Sequence, residues 1–161
     1  MPSKPEVDTR PTFTVDGMLG HVARWLRIMG YDAIYLADAD DAEMLRSSAN
    51  RILLTSDEEL YRRALQQGIE AHLVSGDTLL EKLRSVVRRY DLRPDMSGSR
   101  CTACNGILKV ASPEDIPSGG HVVPHGDNEV WTCTSCGKFY WRGSHWKNIV
   151  QTLREIGSAS T

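Results

Sequence analysis

The first 100 residues contain no cysteine, and no stretch of the chain approaches the ~20 consecutive apolar residues that a membrane-spanning helix needs. No charge of one sign dominates either. Nineteen Lys+Arg stand against 21 Asp+Glu, a formal net charge of −2 over 161 residues. That balance excludes a generic polybasic nucleic-acid coat and a strongly acidic tail protein, while leaving room for a local basic face. The opening residues Met1-Pro2-Ser3-Lys4-Pro5-Glu6 lack the apolar core of a secretory signal, so the expectation is a cytoplasmic protein with no membrane partner. No internal repeat is present. What remains, 40% hydrophobic and 25% charged residues, is the composition of a folded soluble chain. The length suits one domain, or one compact domain with a small stapled module.

Residues 1–11 hold three prolines and read as a flexible lead-in. From residue 12 strand-like and helix-like stretches alternate. Thr12–Val15, Ala33–Leu36, Ile52–Thr55 and Ala71–Val74 are short β-prone runs. Met18, Leu19, Val22, Leu26 and Met29 recur at helical spacing, and Gly30 marks a stop. Asp40 with Glu43, and Ser56 with Glu59, carry capping-box signals, and Asp77 opens a helix running to about Tyr90. Four strand–helix pairs with short connections predict an α/β domain over 12–95, a parallel sheet covered by helices on both faces. Arg93–Ser99 is a turn-rich boundary. The second unit, 100–157, is a small cysteine-bearing module. Val130–Thr132 and Phe139–Trp141 are its predicted strands, Pro113–Asp127 an exposed loop, and Ser144 the cap of a final helix carrying Trp146, Ile149, Val150, Leu153 and Ile156.

In a parallel sheet the segments that follow the strands emerge together at the carboxyl edge, where such folds place ligands. Asp16 follows the first predicted strand, Asp38, Asp40 and Asp41 the second, Asp57 the third and Asp77 the fourth. Carboxylates gathered in one cleft repel one another unless a cation joins them. Their hard oxygens suit Mg²⁺ or Mn²⁺, which can lower the pKa of a bound water and stabilise a phosphoryl transition state. The same residues also serve as ordinary helix caps, Asp40 and Asp77 above all. His21, Arg24 and Arg27, at spacings of three, offer cations on the polar face of the first helix, either to solvent or to phosphate.

All four cysteines fall in two knuckles, Cys101-x-x-Cys104 and Cys133-x-x-Cys136. That pattern points to one closed, structural, tetrahedral zinc site, with an iron–sulfur cluster or redox dithiol as the alternative. Gly106 and Gly137 follow the knuckles and permit tight turns. His121, His125 and His145 are not needed as ligands. Around the second knuckle, Phe139, Trp141, Arg142, His145, Trp146 and Lys147 interleave aromatics with cations, a pattern that serves base stacking or a tiny module's own core.

Val15-Asp16-Gly17-Met18-Leu19-Gly20, Ala23-Arg24-Trp25-Leu26-Arg27, Gly30-Tyr31-Asp32, Asp41-Ala42-Glu43-Met44-Leu45, Arg51 to Asp57 and Cys136 to Trp146, in that order, resemble the Mut-seven C-terminal RNase domain family over about residues 12–150. The resemblance implies a PIN-like three-layer nuclease fold followed by a zinc ribbon, and a ribonuclease using Mg²⁺ or Mn²⁺. By motif, its acidic residues would be Asp16, Asp41 and Asp57, with Asp40, Glu59 or Asp77 as candidates for a further acid. Arg24, Arg27, Trp141, Arg142, His145 and Lys147 would contact RNA. Ser56 stands where the family often shows Arg, and Gly17 where a charged residue is common. The competing expectation is a non-catalytic RNA- or protein-binding adaptor whose acids are caps and whose ribbon is the working face. A receiver-like phosphate acceptor is disfavoured by the four-strand count and by the missing lysine signature.

Overall fold

The computed structural model describes residues 9–96, 98–116 and 129–158. Most of the lead-in, the His121 and His125 loop positions and the last three residues lie outside the described residues. Strands β1 (Phe13–Asp16), β2 (Ala33–Leu36), β3 (Ile52–Thr55) and β4 (Ala71–Leu73) form one parallel sheet in the order β2-β1-β3-β4. Helices α1 (Gly20–Ile28), α2 (Asp41–Ser47), α3 (Glu58–Gln66) and α4 (Leu79–Tyr90) alternate with the strands. The mixed α/β reading with a four-stranded parallel sheet therefore holds.

Side-chain alternation assigns the two faces. On β3, Ile52 and Leu54 enter a core with Val22, Leu26, Leu83 and Val86, the residues of α1 and α4. Leu53 between them points the other way, into a core with Met44 and Leu45 of α2 and Leu60 and Ala64 of α3. A strand buried on both faces must be apolar at every position, which explains the continuous run Ile52-Leu53-Leu54. Each fully buried leucine contributes about 2 kcal/mol. Met18, placed with the apolar stripe by spacing, is instead 75% exposed, because a 3-10 turn over Gly17–Leu19 precedes α1 and rotates it outward.

Two helix starts differ from the sequence signals. The N-cap of α3 is Asp57, not Ser56; its Oδ1 accepts from the backbone N–H of Glu59 and Leu60 at 2.9 and 3.2 Å. The N-cap of α4 is Thr78, which forms a full capping box with Glu81, so Asp77 lies just outside the helix. Asp40 does cap α2, accepting from Glu43 N–H at 2.8 Å.

The ribbon is a three-stranded antiparallel sheet, β5 (Leu108–Val110), β6 (Val130–Cys133) and β7 (Phe139–Trp141). The sequence pattern does not announce β5, because three residues with Lys109 in the middle carry too little of it. Helix α5 (Trp146–Ser158) follows the ribbon in sequence but returns to the parallel sheet's layer. Leu153 and Ile156 join the α1/α4 core, and Arg84 of α4 donates to the Glu155 carbonyl at 2.8 Å.

The first knuckle docks on the amino edge of the parallel sheet. Asp32, just before β2, receives a two-pronged hydrogen bond from Arg51 at 2.8 and 2.9 Å and a third from Asn105 Nδ2 at 2.7 Å. Asn105 Oδ1 in turn accepts from Ala33 N–H. Burial alone would raise the Asp32 pKa, but the hydrogen bonds from Arg51 and Asn105 outweigh it and hold it below the ordinary 3.8. A depressed carboxylate contributes its stability above its unfolded pKa and loses it as pH falls through the folded one. Asp32→Asn should therefore cost about 2 kcal/mol at pH 7. Urea unfolding should show that deficit shrinking below about pH 4, where the wild-type carboxyl takes its own proton; a deficit independent of pH would contradict the assignment.

Candidate active site and metal centre

The strand order creates a switch point. From β1 the chain passes through α1 to β2 on one side, then crosses back through α2 to β3 on the other. The helices after β1 and β3 consequently leave on opposite faces of the sheet, opening a crevice beyond the carboxyl ends of these two adjacent strands. Asp16 ends β1 and Asp57 follows β3, so both lie at that crevice.

Thr55, the last residue of β3 and fully buried, connects them. Its hydroxyl donates to Asp16 Oδ2 at 2.8 Å and accepts from the Asp57 backbone N–H at 3.0 Å. Asp16 Oδ1 accepts from Gly17 N–H at 2.7 Å. The Asp16 carboxylate is thus fixed by two donors, yet each oxygen retains a lone pair. Gly17 is required by space. A Cβ there would stand 2.6 Å from the Ala37 carbonyl oxygen, so a charged residue could not occupy this position without moving the chain after β2.

The other predicted acids share the edge without converging on one point. Asp41 opens α2 and pairs with Arg63 of α3 at 2.8 Å, both half-exposed. Asp40 is occupied as the α2 cap. Glu59 sits exposed in the first turn of α3, and Asp77 is exposed at the exit of β4, one strand beyond the crevice. Thr55 and Arg63 carry no motif of their own. A buried threonine closing an apolar strand was the only available signal for the first.

The cysteines do converge. Among the described residues they are the only group of three or more His, Cys, Asp or Glu side chains whose donor atoms all lie within 4.8 Å of one another. Cys101 and Cys136 Sγ are 3.7 Å apart, Cys104 and Cys133 Sγ 3.4 Å. Four sulfurs at ~2.3 Å from a tetrahedral zinc stand about 3.8 Å apart, so the set can hold such a metal. The N–H groups of Ser135 and Cys136 point at Cys133 Sγ, both at 3.4 Å. Burial, which opposes ionisation, is outweighed there by these N–H groups and the neighbouring sulfurs, and the Cys133 thiol drops to about 6. Its neighbour Cys104, despite the Gly106 N–H favouring charge, is pushed up to about 12 because the adjacent sulfurs keep its proton in place. A divalent cation removes that conflict. In the first knuckle the left-handed residue is Asn105 (φ 69°), while Gly106 provides room: a Cβ there would lie 2.6 Å from Cys133 Sγ.

Arg27 is a correction. It is only 8% exposed, its Nε donates to the Ala33 carbonyl and its Nη1 to the Thr102 carbonyl, both at 2.9 Å, and it is committed to docking the ribbon rather than available to RNA. Burial lowers its pKa, opposed by the nearby Cys101 and Cys104. Arg24, one turn earlier, is exposed, as are Arg142, His145 and Lys147. Arg142 lies over the Trp146 ring at 4.7 Å and the Trp131 ring at 5.9 Å. Trp141 is half-buried in β7.

The chain matches, over residues 11–153, the family model described as Mut7-C RNAse domain. Neither the curated proteins nor the solved structures yield a match.

Two substitutions separate metal loading from docking. Titrated with zinc, Gly106→Ala should retain far less of it than the wild-type chain, read by elemental analysis or dye capture after thiol oxidation, because its Cβ strikes Cys133. Asn105→Gly should keep zinc, since glycine accepts φ > 0, yet unfold more readily through loss of the Asp32 and Ala33 bonds. Full zinc in Gly106→Ala would show that the knuckle tolerates the added methyl.

Proposed function

The chain belongs to the Mut7-C RNAse domain family, and from that premise we propose that it is a metal-dependent ribonuclease that hydrolyses RNA phosphodiester bonds at the carboxyl edge of its parallel sheet. The observation that carries the reading is the Asp16–Thr55–Asp57 link at the strand switch point. It supports a working site because it immobilises one carboxylate and the start of α3 against each other with a fully buried hydroxyl, at the place where such sheets bind ligands.

Phosphodiester hydrolysis needs a nucleophilic water and compensation for charge developing on phosphorus. Mg²⁺ or Mn²⁺, when bound, supplies both. The residues present fit such an ion by chemistry: their donors are hard oxygens, and Mg²⁺ usually takes one or two carboxylates and completes its shell with water and substrate phosphate. Asp16 and Asp57 would hold it. Asp57 is free to do so because its cap bonds use Oδ1 alone, leaving Oδ2. Asp41 would be the third acid from the far bank of the crevice, held in place by Arg63. Asp40, Glu59 and Asp77 would add negative charge around the site. The N-terminal end of α3 faces the same space, and the positive end of its dipole favours an incoming phosphate there. Arg24 and the exposed cations of the ribbon would receive the rest of the RNA, and the cysteine site, loaded with one structural zinc, would keep the ribbon rigid.

The adaptor reading has one observation in its favour: Asp40 and Asp57 do cap helices. Asparagine caps as well as aspartate, so Asp57→Asn keeps the cap and removes only the charge. The expected outcome, with Mn²⁺ and labelled single-stranded RNA, is at least a 100-fold loss of cleavage for Asp57→Asn and for Asp16→Asn, with melting temperatures close to wild type. Unchanged cleavage in both variants would leave the carboxylates as caps and return the function to the ribbon.

A further inference from the structure

A groove of about 860 Å³ runs between the ribbon, α1 and α5 on the side of the molecule away from α2 and α3. That volume is of the size that holds small organic ligands. Its walls present four aromatic side chains, Trp131, Tyr140, Trp141 and Trp146. Four arginines line it as well, Arg24 from α1, Arg100 from the linker, Arg142 from the ribbon and Arg154 from α5, against a single acid, Asp95. Arg24 and Arg154 have no hydrogen-bond or ion-pair partner among the described residues. Arg142 lies over two indole rings, at 4.7 and 5.9 Å from their centroids. Guanidinium groups that outnumber the acids four to one around an aromatic floor match a ligand that is planar and apolar in one part and anionic in another.

We propose that this groove is a subsite for unpaired nucleotides of the RNA, with bases lying among the tryptophans and phosphates on the arginines. Bases in a duplex have both faces covered by their neighbours and cannot enter, whereas a single strand exposes them for stacking on aromatic and guanidinium planes. An acidic peptide would satisfy the arginines but leave the aromatic faces unused. The groove also has the right bearing. Arg24 lies eight residues beyond Asp16, across the 3-10 turn Gly17–Leu19 and about one turn of α1, so one strand can reach from the groove to the acidic edge along the exposed face that carries His21 and Arg24. The inference rests on the ribonuclease reading for the statement that the strand is cut at that edge; the binding itself does not. It implies that the protein selects single-stranded RNA, and that the bound stretch is set apart from the point of cleavage by the 3-10 turn and the first turn of α1.

The test measures binding without turnover. A fluorescein-labelled 2′-O-methyl RNA octamer is titrated with the zinc-loaded protein, with no Mg²⁺ or Mn²⁺ added, and anisotropy is read. The expected result is that Arg24→Ala/Arg154→Ala weakens binding at least ten-fold and flattens the dependence of log K on log salt, as lost phosphate contacts require. Asp16→Asn should bind no more weakly than wild type, and a blunt duplex of the same sequence should compete at least ten-fold less well than the single strand. Both arginines are surface residues, and a matching melting temperature shows that the double variant is folded; Arg142→Glu gives a second variant with the same expected loss. Equal binding by wild type and both variants, equal competition by the duplex, or displacement by polyglutamate as readily as by RNA would overturn the proposal. Loss of binding in the arginine variants together with normal cleavage by Asp16→Asn would instead retain the groove and refute the acidic site.

Discussion

Arg27 carries a positive charge into the seam between the ribbon and the parallel sheet, where 8% of its surface reaches solvent. A buried cation is costly unless its hydrogen bonds are satisfied and its charge is met. Here two backbone carbonyls take its hydrogen bonds, one from β2 and one from the first knuckle, and Cys101 and Cys104 lie within its field. Four thiolates around a divalent ion carry a net charge of −2, so the cation also suits the loaded site. Docking and metal loading would then support each other: a metal held by the four cysteines would order the knuckle that supplies the Thr102 carbonyl, and the docked guanidinium would offset the charge of the thiolates. The groove inherits its shape from the same contact, because Arg24 and Ile28 project from the helix that Arg27 anchors.

The parallel sheet was legible because its signal is repeated. Four apolar runs, each followed by a helical period, leave one economical arrangement, and the acids after each run fall at one edge by topology alone. Local choices were harder. Ser56 and Asp57 are both good caps; what selects Asp57 is that Thr55 completes the pairing with β4 and turns its hydroxyl to the Asp57 N–H. Spacing sets Arg27 beside Arg24, yet three residues along a helix leave a rotation of about 60° between side chains. That turn is enough to carry Arg27 under a module that begins 73 residues later. Nothing local to α1 announces a partner so distant in sequence. The clustering of the cysteines, by contrast, was plain from two short spacings, since each knuckle holds its own pair and only one long-range contact remained to be made.

The acids at the edge show why cap and ligand are poor alternatives. A capping aspartate uses one oxygen on the backbone, as Asp57 does, and is held rigid for doing so. The cap contributes about 1 kcal/mol to the helix, and the helix end returns a partial positive charge to a crowded acidic surface. A carboxylate that is already ordered loses less entropy when it binds an ion. Fold stability and site preorganisation can therefore come from the same hydrogen bonds, and only a substitution that keeps the cap while removing the charge distinguishes them.

The net charge of −2 conceals two separate fields. Carboxylates collect where the strands end, and four arginines against one acid line the groove beside α1. The screening length in physiological salt is about 8 Å, which limits how far either field reaches. On the proposed reading the groove would attract a polyanion without help, whereas the edge would repel it unless a divalent cation held by Asp16 and Asp57 reversed the local sign. A strand held first by the groove would bring its phosphates toward that edge. In such an arrangement neither half needs high affinity alone, and a chain of nearly neutral total charge can handle a polyanion.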